Sequence, residues 1–106
     1  MNDADYQQAI TATLRRVEEA VENCGADIDF ELAGEILTLE FASGSKIILN
    51  KQGAVQQLWV AAKSGGYHYN YDGTAQLWRN DQSGAELFAE LARLISEQAG
   101  EPVTLN

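Results

Sequence analysis

The sequence predicts an α+β fold: a two-layer α/β sandwich with N- and C-terminal helices packed on one face of a roughly six-stranded antiparallel sheet. Three observations carry the prediction. Each end of the chain has an apolar stripe at helical spacing, the middle alternates apolar and polar residues with a period of two, and glycine-bearing turns too short for crossovers join the alternating runs.

The first helix is expected over residues 3–23, where Tyr6, Ile10, Leu14, Val17 and Val21 recur at spacings of four, four, three and four. Asn2 or Asp3 can cap its start, and Gly25 can end it in a left-handed conformation. The period then switches to two. In DIDFEL, Ile28, Phe30 and Leu32 alternate with Asp27, Asp29 and Glu31; in EILTLEF, Leu37, Leu39 and Phe41 alternate with Thr38 and Glu40. SKIILN, VQQLWVAA, GYHYNY and AQLWRN supply four further strands, punctuated by Ser43-Gly44, Ser64-Gly65-Gly66 and Asp72-Gly73. A second helix is expected over residues 83–98, opened by a capping box at Ser83-Gly84-Ala85-Glu86 and closed by Gly100 and Pro102. Leu87, Leu91, Leu94 and Ile95 form its apolar face. Because each helix is apolar on one side only, both belong on the same side of the sheet, and the other sheet face stays open to solvent.

A chain of 106 residues with 45% hydrophobic and 22% charged residues reads as one soluble globular domain over residues 1–106. No apolar run approaches the roughly 18 residues of a membrane span. The start, MNDADYQQAI, has neither the basic and apolar regions of a secretory leader nor the Arg-rich character of a transit peptide. Cys24 is alone, so no internal disulfide forms, which fits a reducing cytoplasm, the expected location.

The net charge of −9 is unevenly placed. Residues 1–45 hold ten acids against Arg15 and Arg16; residues 46–106 hold six acids against five bases. The excess argues against nucleic acid and for cations or a basic protein surface as partner. It peaks in VEEAVENCGADIDFE, residues 17–31, with six acids and no base. Glu18 and Glu22 are four apart on one helix face, with Glu19 beside them, near a helix C-terminus whose dipole disfavours anions. Asp27, Asp29 and Glu31 share one strand face at intervals of about 6.6–7 Å. A strand beside the helix end would merge both sets into one acidic ridge. Carboxylates without His or thiolate suit hard cations, namely Fe²⁺, Fe³⁺, Mn²⁺ or Ca²⁺, bound weakly on an open surface. The same ridge would suit an Arg/Lys-rich protein groove. The plain alternative is a solvated helix face and an edge strand guarded by charge against aggregation.

In VQQLWVAA, burial of Leu58 and Val60 under the helices would put Trp59 on the open face, where a Trp among polar residues is a candidate contact anchor. Cover by a neighbour such as Ile48, or an inverted face, is the alternative. Asn50 and Gln52 lie within reach of Trp59 in this arrangement. Catalytic chemistry is absent: no nucleotide-binding glycine loop, no CxxC, no triad or dyad. His68 is the only His and reads as a surface or interface side chain; Cys24 reads as an ordinary helix-end residue.

The acidic first helix, DIDFE, ILTLEFASGSKIILNKQ, QLWVA, SGGYHY and SGAELFAELA together resemble bacterial frataxin of the CyaY type, from Asn2 to about Ala99. The most specific part is Asn50-x-Gln52, then Gln57-Leu58-Trp59-Val60-Ala61, then Gly65-Gly66-Tyr67-His68. Compared with the family, the loop carrying Asn23-Cys24-Gly25-Ala26 is shorter and lacks the usual acids, and Ala54 stands where Pro is common. The resemblance implies a non-enzymatic role in iron–sulfur cluster assembly: weak binding of iron (Fe²⁺/Fe³⁺, with other divalent cations as substitutes) and docking of the ridge on the cysteine desulfurase IscS and its scaffold complex. By position it assigns Glu18, Glu19, Glu22, Asp27, Asp29 and Glu31 to metal, with Asp3 an outlying ligand. It assigns Glu18, Glu19, Glu22, Asn50, Gln52 and Trp59 to the partner. It also implies a monomer that metal could drive into oligomers. The alternative reading is a metal-independent acidic module that inhibits a basic partner.

Overall fold

The computed structural model describes residues 1–105. Its elements are α1 (Asp3–Glu22), β1 (Ile28–Ala33), β2 (Ile36–Phe41), β3 (Lys46–Gln52), a 3-10 turn (Gly53–Val55), β4 (Gln57–Ala62), β5 (Gly65–Asp72), β6 (Leu77–Asn80) and α2 (Leu87–Ala99). The six strands form one sheet in chain order, each antiparallel to the next. This is the predicted two-layer arrangement, and the turn chemistry explains its order: connections this short can only return a strand beside its predecessor.

Helix α1 begins where Asn2 Oδ1 accepts the Asp5 N–H at 2.7 Å. It ends at Asn23, and Gly25, at φ +82°, turns the chain into β1. Helix α2 corrects the capping-box expectation. Ser83 is not the cap; the helix starts four residues later, with Glu86 itself accepting from the Phe88 and Ala89 N–H groups at 2.7 and 3.1 Å. The reason lies upstream. Asn80 Oδ1 accepts from the Gln82 and Ser83 N–H groups, and the Asn80 N–H reaches the Ala85 carbonyl at 2.8 Å. Residues 80–85 are thereby held in a tight turn, and Arg79 and Glu86 then pair as an isolated β-bridge before the helix can begin.

The core forms between the helices and one sheet face. Tyr6, Ile10, Leu14, Val17 and Val21 of α1, with Leu87, Leu91, Leu94 and Ile95 of α2, cover Leu37, Leu39, Ile47, Leu49, Leu58, Val60 and Tyr69. Trp78 belongs to this core. Its ring meets Tyr6 and Tyr71 edge-on, and its Nε1–H donates to Thr13 Oγ1 at 2.9 Å, giving the buried indole the partner it requires. One acid enters the layer. Glu90 lies three residues after Leu87 and four before Leu94, and its carboxylate accepts from the Tyr69 hydroxyl and from Asn80 Nδ2.

Burial, and then the neighbouring Glu90 carboxylate, push the Tyr69 hydroxyl well above the ordinary tyrosine range. The folded state therefore keeps its proton where the unfolded state would lose it. The contribution is complete below about pH 10 and is lost as pH rises above that, at up to about 1.4 kcal/mol per pH unit for one proton. Denaturant titrations from pH 8 to 11 should show this loss, and Tyr69→Phe should flatten it while costing about 1–3 kcal/mol at neutral pH. An unchanged alkaline profile in the variant would show that Tyr69 does not carry the effect.

Candidate functional site

Two surfaces remain outside the core. The first is the acidic edge. Strand β1 pairs only with β2, so it is the sheet edge, and α1 packs against it. Residues Ile28, Phe30 and Leu32 turn towards the core, which sends Asp29 and Glu31 to the opposite face, both exposed. Asp27 is exposed just ahead of the strand. From the helix layer, Glu19 and Glu22 are exposed and Glu18 half-buried near the C-terminal end of α1. Asp3 is separated from this group by 15 residues of helix, about 22 Å along the axis. It accepts instead from Gln56 Nε2 at 3.0 Å.

These acids are close together in sequence and lack counter-charges. Glu35, Asp72, Asp81, Glu90 and Glu97 each lie within 4 Å of a basic side chain. Among the described residues, none of Glu18, Glu19, Glu22, Asp27, Asp29 and Glu31 has such a neighbour. Arg16, on the same helix, sits over the Phe88 ring at 4.4 Å instead. The acids also do not converge: among the described residues, no three His, Cys, Asp or Glu side chains are grouped to hold a metal ion. Cations met here would keep much of their water and bind through one or two carboxylates at a time, as suits hard ions at an open surface.

The strand register adds a residue that pattern reading did not include. Glu40 lies opposite Asp29, Thr38 opposite Glu31, and Lys46 opposite Glu40. Together with Phe30 they line a shallow hollow of about 220 Å³ on the edge. The alternation in EILTLEF already put Thr38 and Glu40 on one face; hairpin register makes them neighbours of the β1 acids.

The second surface is the open sheet face. Leu58 and Val60 are buried and Trp59 points the other way, half-buried. His68 covers one face of it: its ring stacks on the indole at 4.1 Å between centroids and 12° between planes. Asn50 is directly opposite Trp59 on β3, and Gln52 is opposite Gln57. One row across the sheet therefore runs Ile36, Asn50, Trp59, His68, with Ile36 about half exposed at 49%.

Comparison with known proteins gives the family. Residues 1–101 match the frataxin-like domain family. The chain belongs to that family. A relative from Paraburkholderia phymatum, named as an iron–sulfur cluster assembly protein CyaY, is 44% identical over 106 residues, covering 99% of this chain and 98% of its own. The frataxin of Psychromonas ingrahamii superposes with a TM-score of 0.91 at 36% identity, covering 100% of this chain and 99% of the other. A trimeric yeast frataxin complexed with ferrous iron shares the fold, with a TM-score of 0.61 at 24% identity over 93% of this chain and 86% of its own. Cys24, half-buried, lies in the turn between α1 and β1.

The two tryptophans should separate cleanly in stability. Trp78→Ala, which opens the core and orphans Thr13, should cost about 3–5 kcal/mol, and Trp59→Ala less than about 2 kcal/mol. Urea unfolding of both variants reads the difference; equal costs would mean that Trp59 is a core residue.

Proposed function

We propose that the protein acts in iron–sulfur cluster assembly without being an enzyme, docking its acidic edge on the cysteine desulfurase and its open sheet face towards the scaffold. The observation that carries this reading is the set of six acids at an edge strand and the adjoining helix end with no basic side chain of the described residues within 4 Å. Such a surface attracts a basic partner strongly at a distance, associates fast and weakens with salt. The family supports the choice of partner: the Paraburkholderia relative carries the name of a cluster assembly protein. Asn50, Gln52 and Trp59 would meet the scaffold side, where a Trp flanked by polar side chains suits a contact anchor.

Iron enters as cargo or signal. The ferrous complex of the yeast frataxin supports contact with Fe²⁺. In this chain Glu18, Glu19, Glu22, Asp27, Asp29 and Glu31 would share the ion weakly, with Asp3 an outlying ligand, and other divalent cations would compete. Because the acids that would bind metal would also meet the desulfurase, iron neutralising the ridge would weaken docking and so regulate assembly. The protein would work as a monomer in the cytoplasm, where the lone Cys24 stays reduced, and screening of the ridge by metal would favour association between copies. No helix among the described residues is long and apolar enough to cross a membrane.

Replacing Glu18, Glu19 and Glu22 together by Lys should leave the thermal midpoint unchanged or slightly raised, since positive charge suits the end of α1. Cluster formation on the scaffold, driven by the desulfurase across a range of Fe²⁺, should respond to the wild type and not to this variant. A response to both, or to neither, would remove the ridge from the docking site.

A further inference from the structure

The open face carries a closed ring of side-chain contacts. Trp59 Nε1–H donates to Gln57 Oε1 at 2.8 Å. Gln57 Nε2 donates to Asn70 Oδ1 at 3.1 Å and to Asp81 Oδ2 at 3.3 Å. The same Asp81 oxygen lies 3.9 Å from His68 Nδ1, and His68 stacks back on Trp59. The ring has one consistent hydrogen-bond direction. Indole N–H can only donate and carboxylate can only accept, so Gln57 must turn its oxygen to Trp59 and its NH₂ to Asp81; the flipped amide would face a donor with a donor and an acceptor with an acceptor.

The backbone holds every member in place. Gln57 and Trp59 share one face of β4, and β5 sets Asn70 opposite Gln57 and His68 opposite Trp59. Asp81 lies just beyond β6, but its N–H extends the ladder by donating to the His68 carbonyl at 2.9 Å. The preceding residue, Asn80, is buried and fixes the turn that follows. An exposed aromatic side chain ordinarily exchanges rotamers on the picosecond-to-nanosecond scale. Here the indole is stacked on one face and tethered at its only polar atom. Fixing an anchor before binding removes the ordering cost of about 0.5–1.5 kcal/mol per side chain that association otherwise carries.

We infer that Asp81 and Gln57 are positioning residues: they hold the Trp59–His68 stack as a preformed aromatic platform for the scaffold complex, Asp81 acting through Gln57 and His68 rather than by contact with the partner. This rests on the docking role proposed for Trp59. The test uses the full chain labelled with ¹⁵N, in wild type, Asp81→Ala, Asp81→Asn and Trp59→Ala forms. It reads the order parameter of the Trp59 indole N–H and the Kd for a reconstituted cysteine desulfurase–scaffold complex. Trp78 supplies an internal reference for an intact core. In Asp81→Ala the Trp59 order parameter should fall from near the rigid value of about 0.85 to below about 0.6. Its Kd should weaken by about 2–12-fold, the ordering cost converted at 1.4 kcal/mol per tenfold. Asp81→Asn keeps an acceptor for Gln57 and should restore both within about twofold. An indole that stays rigid in Asp81→Ala, or one that loosens with no change in Kd while Trp59→Ala still weakens binding, overturns the positioning role alone. If Trp59→Ala itself leaves Kd unchanged, the docking reading of this face falls, and the platform with it.

Discussion

One sheet with one covered face is the constraint on which the rest of this molecule depends. Six strands joined by short antiparallel turns present two faces, and only two helices are available to cover them. Both helices carry a single apolar stripe, so both lie on the side where Leu39, Leu49, Leu58 and Tyr69 point. Burial of these side chains, at roughly 1.5–3 kcal/mol each, decides the arrangement. The remaining face must be polar or tolerate water, and an aromatic there needs its own local support. Trp59 has it from His68 and Gln57, whereas Trp78, in β6 opposite Tyr71 and on the covered side, has it from Tyr6, Tyr71 and Thr13.

The charge distribution follows from the same topology. Because α1 leads directly into β1, and β1 is the edge, acids from the end of the helix and from the strand border one margin of the molecule. Acids on an edge strand also discourage strand addition by another chain, so part of the charge serves solubility. That role does not account for Glu18, Glu19 and Glu22 at a helix end, where each like-charge pair costs about 0.2–0.5 kcal/mol. Some acids elsewhere in the chain are matched: Asp72 accepts the Ala75 and Thr74 N–H groups and pairs with Arg79, which together hold its carboxyl below the usual range. Among the described residues, six of the eleven acids without a basic side chain within 4 Å lie on this margin, which is therefore where unmatched charge is most concentrated.

Most of the fold was legible because it is written in periodicity. The alternation in DIDFEL, EILTLEF and QLWVA predicted the buried side of β1, β2 and β4 correctly, and the stripe from Tyr6 to Val21 predicted the inner face of α1. The start of α2 was misread because S-x-x-E is a local signal, whereas the turn that displaces it depends on Asn80 at the end of a strand. That six acids cluster at the end of α1 and on β1, largely exposed, was legible from composition and spacing. Glu40 and the contacts of Gln57, His68 and Asp81 were not, since each depends on which residues face each other across three strand pairings. Glu90 left a trace: an acid at the spacing of the apolar stripe of α2 announces a buried partner, which proved to be Tyr69 and Asn80.

The central claim is that an unmatched acidic margin docks on a basic partner and that iron competes for it. The most direct measurement is the Kd for the cysteine desulfurase as a function of ionic strength, with and without Fe²⁺. The account predicts a steep loss of affinity with salt and a further weakening when Fe²⁺ is added at low salt, where the carboxylates are least screened. Affinity insensitive to salt would contradict electrostatic docking. Affinity steep in salt but indifferent to Fe²⁺ would leave an acidic module that inhibits its partner without sensing metal.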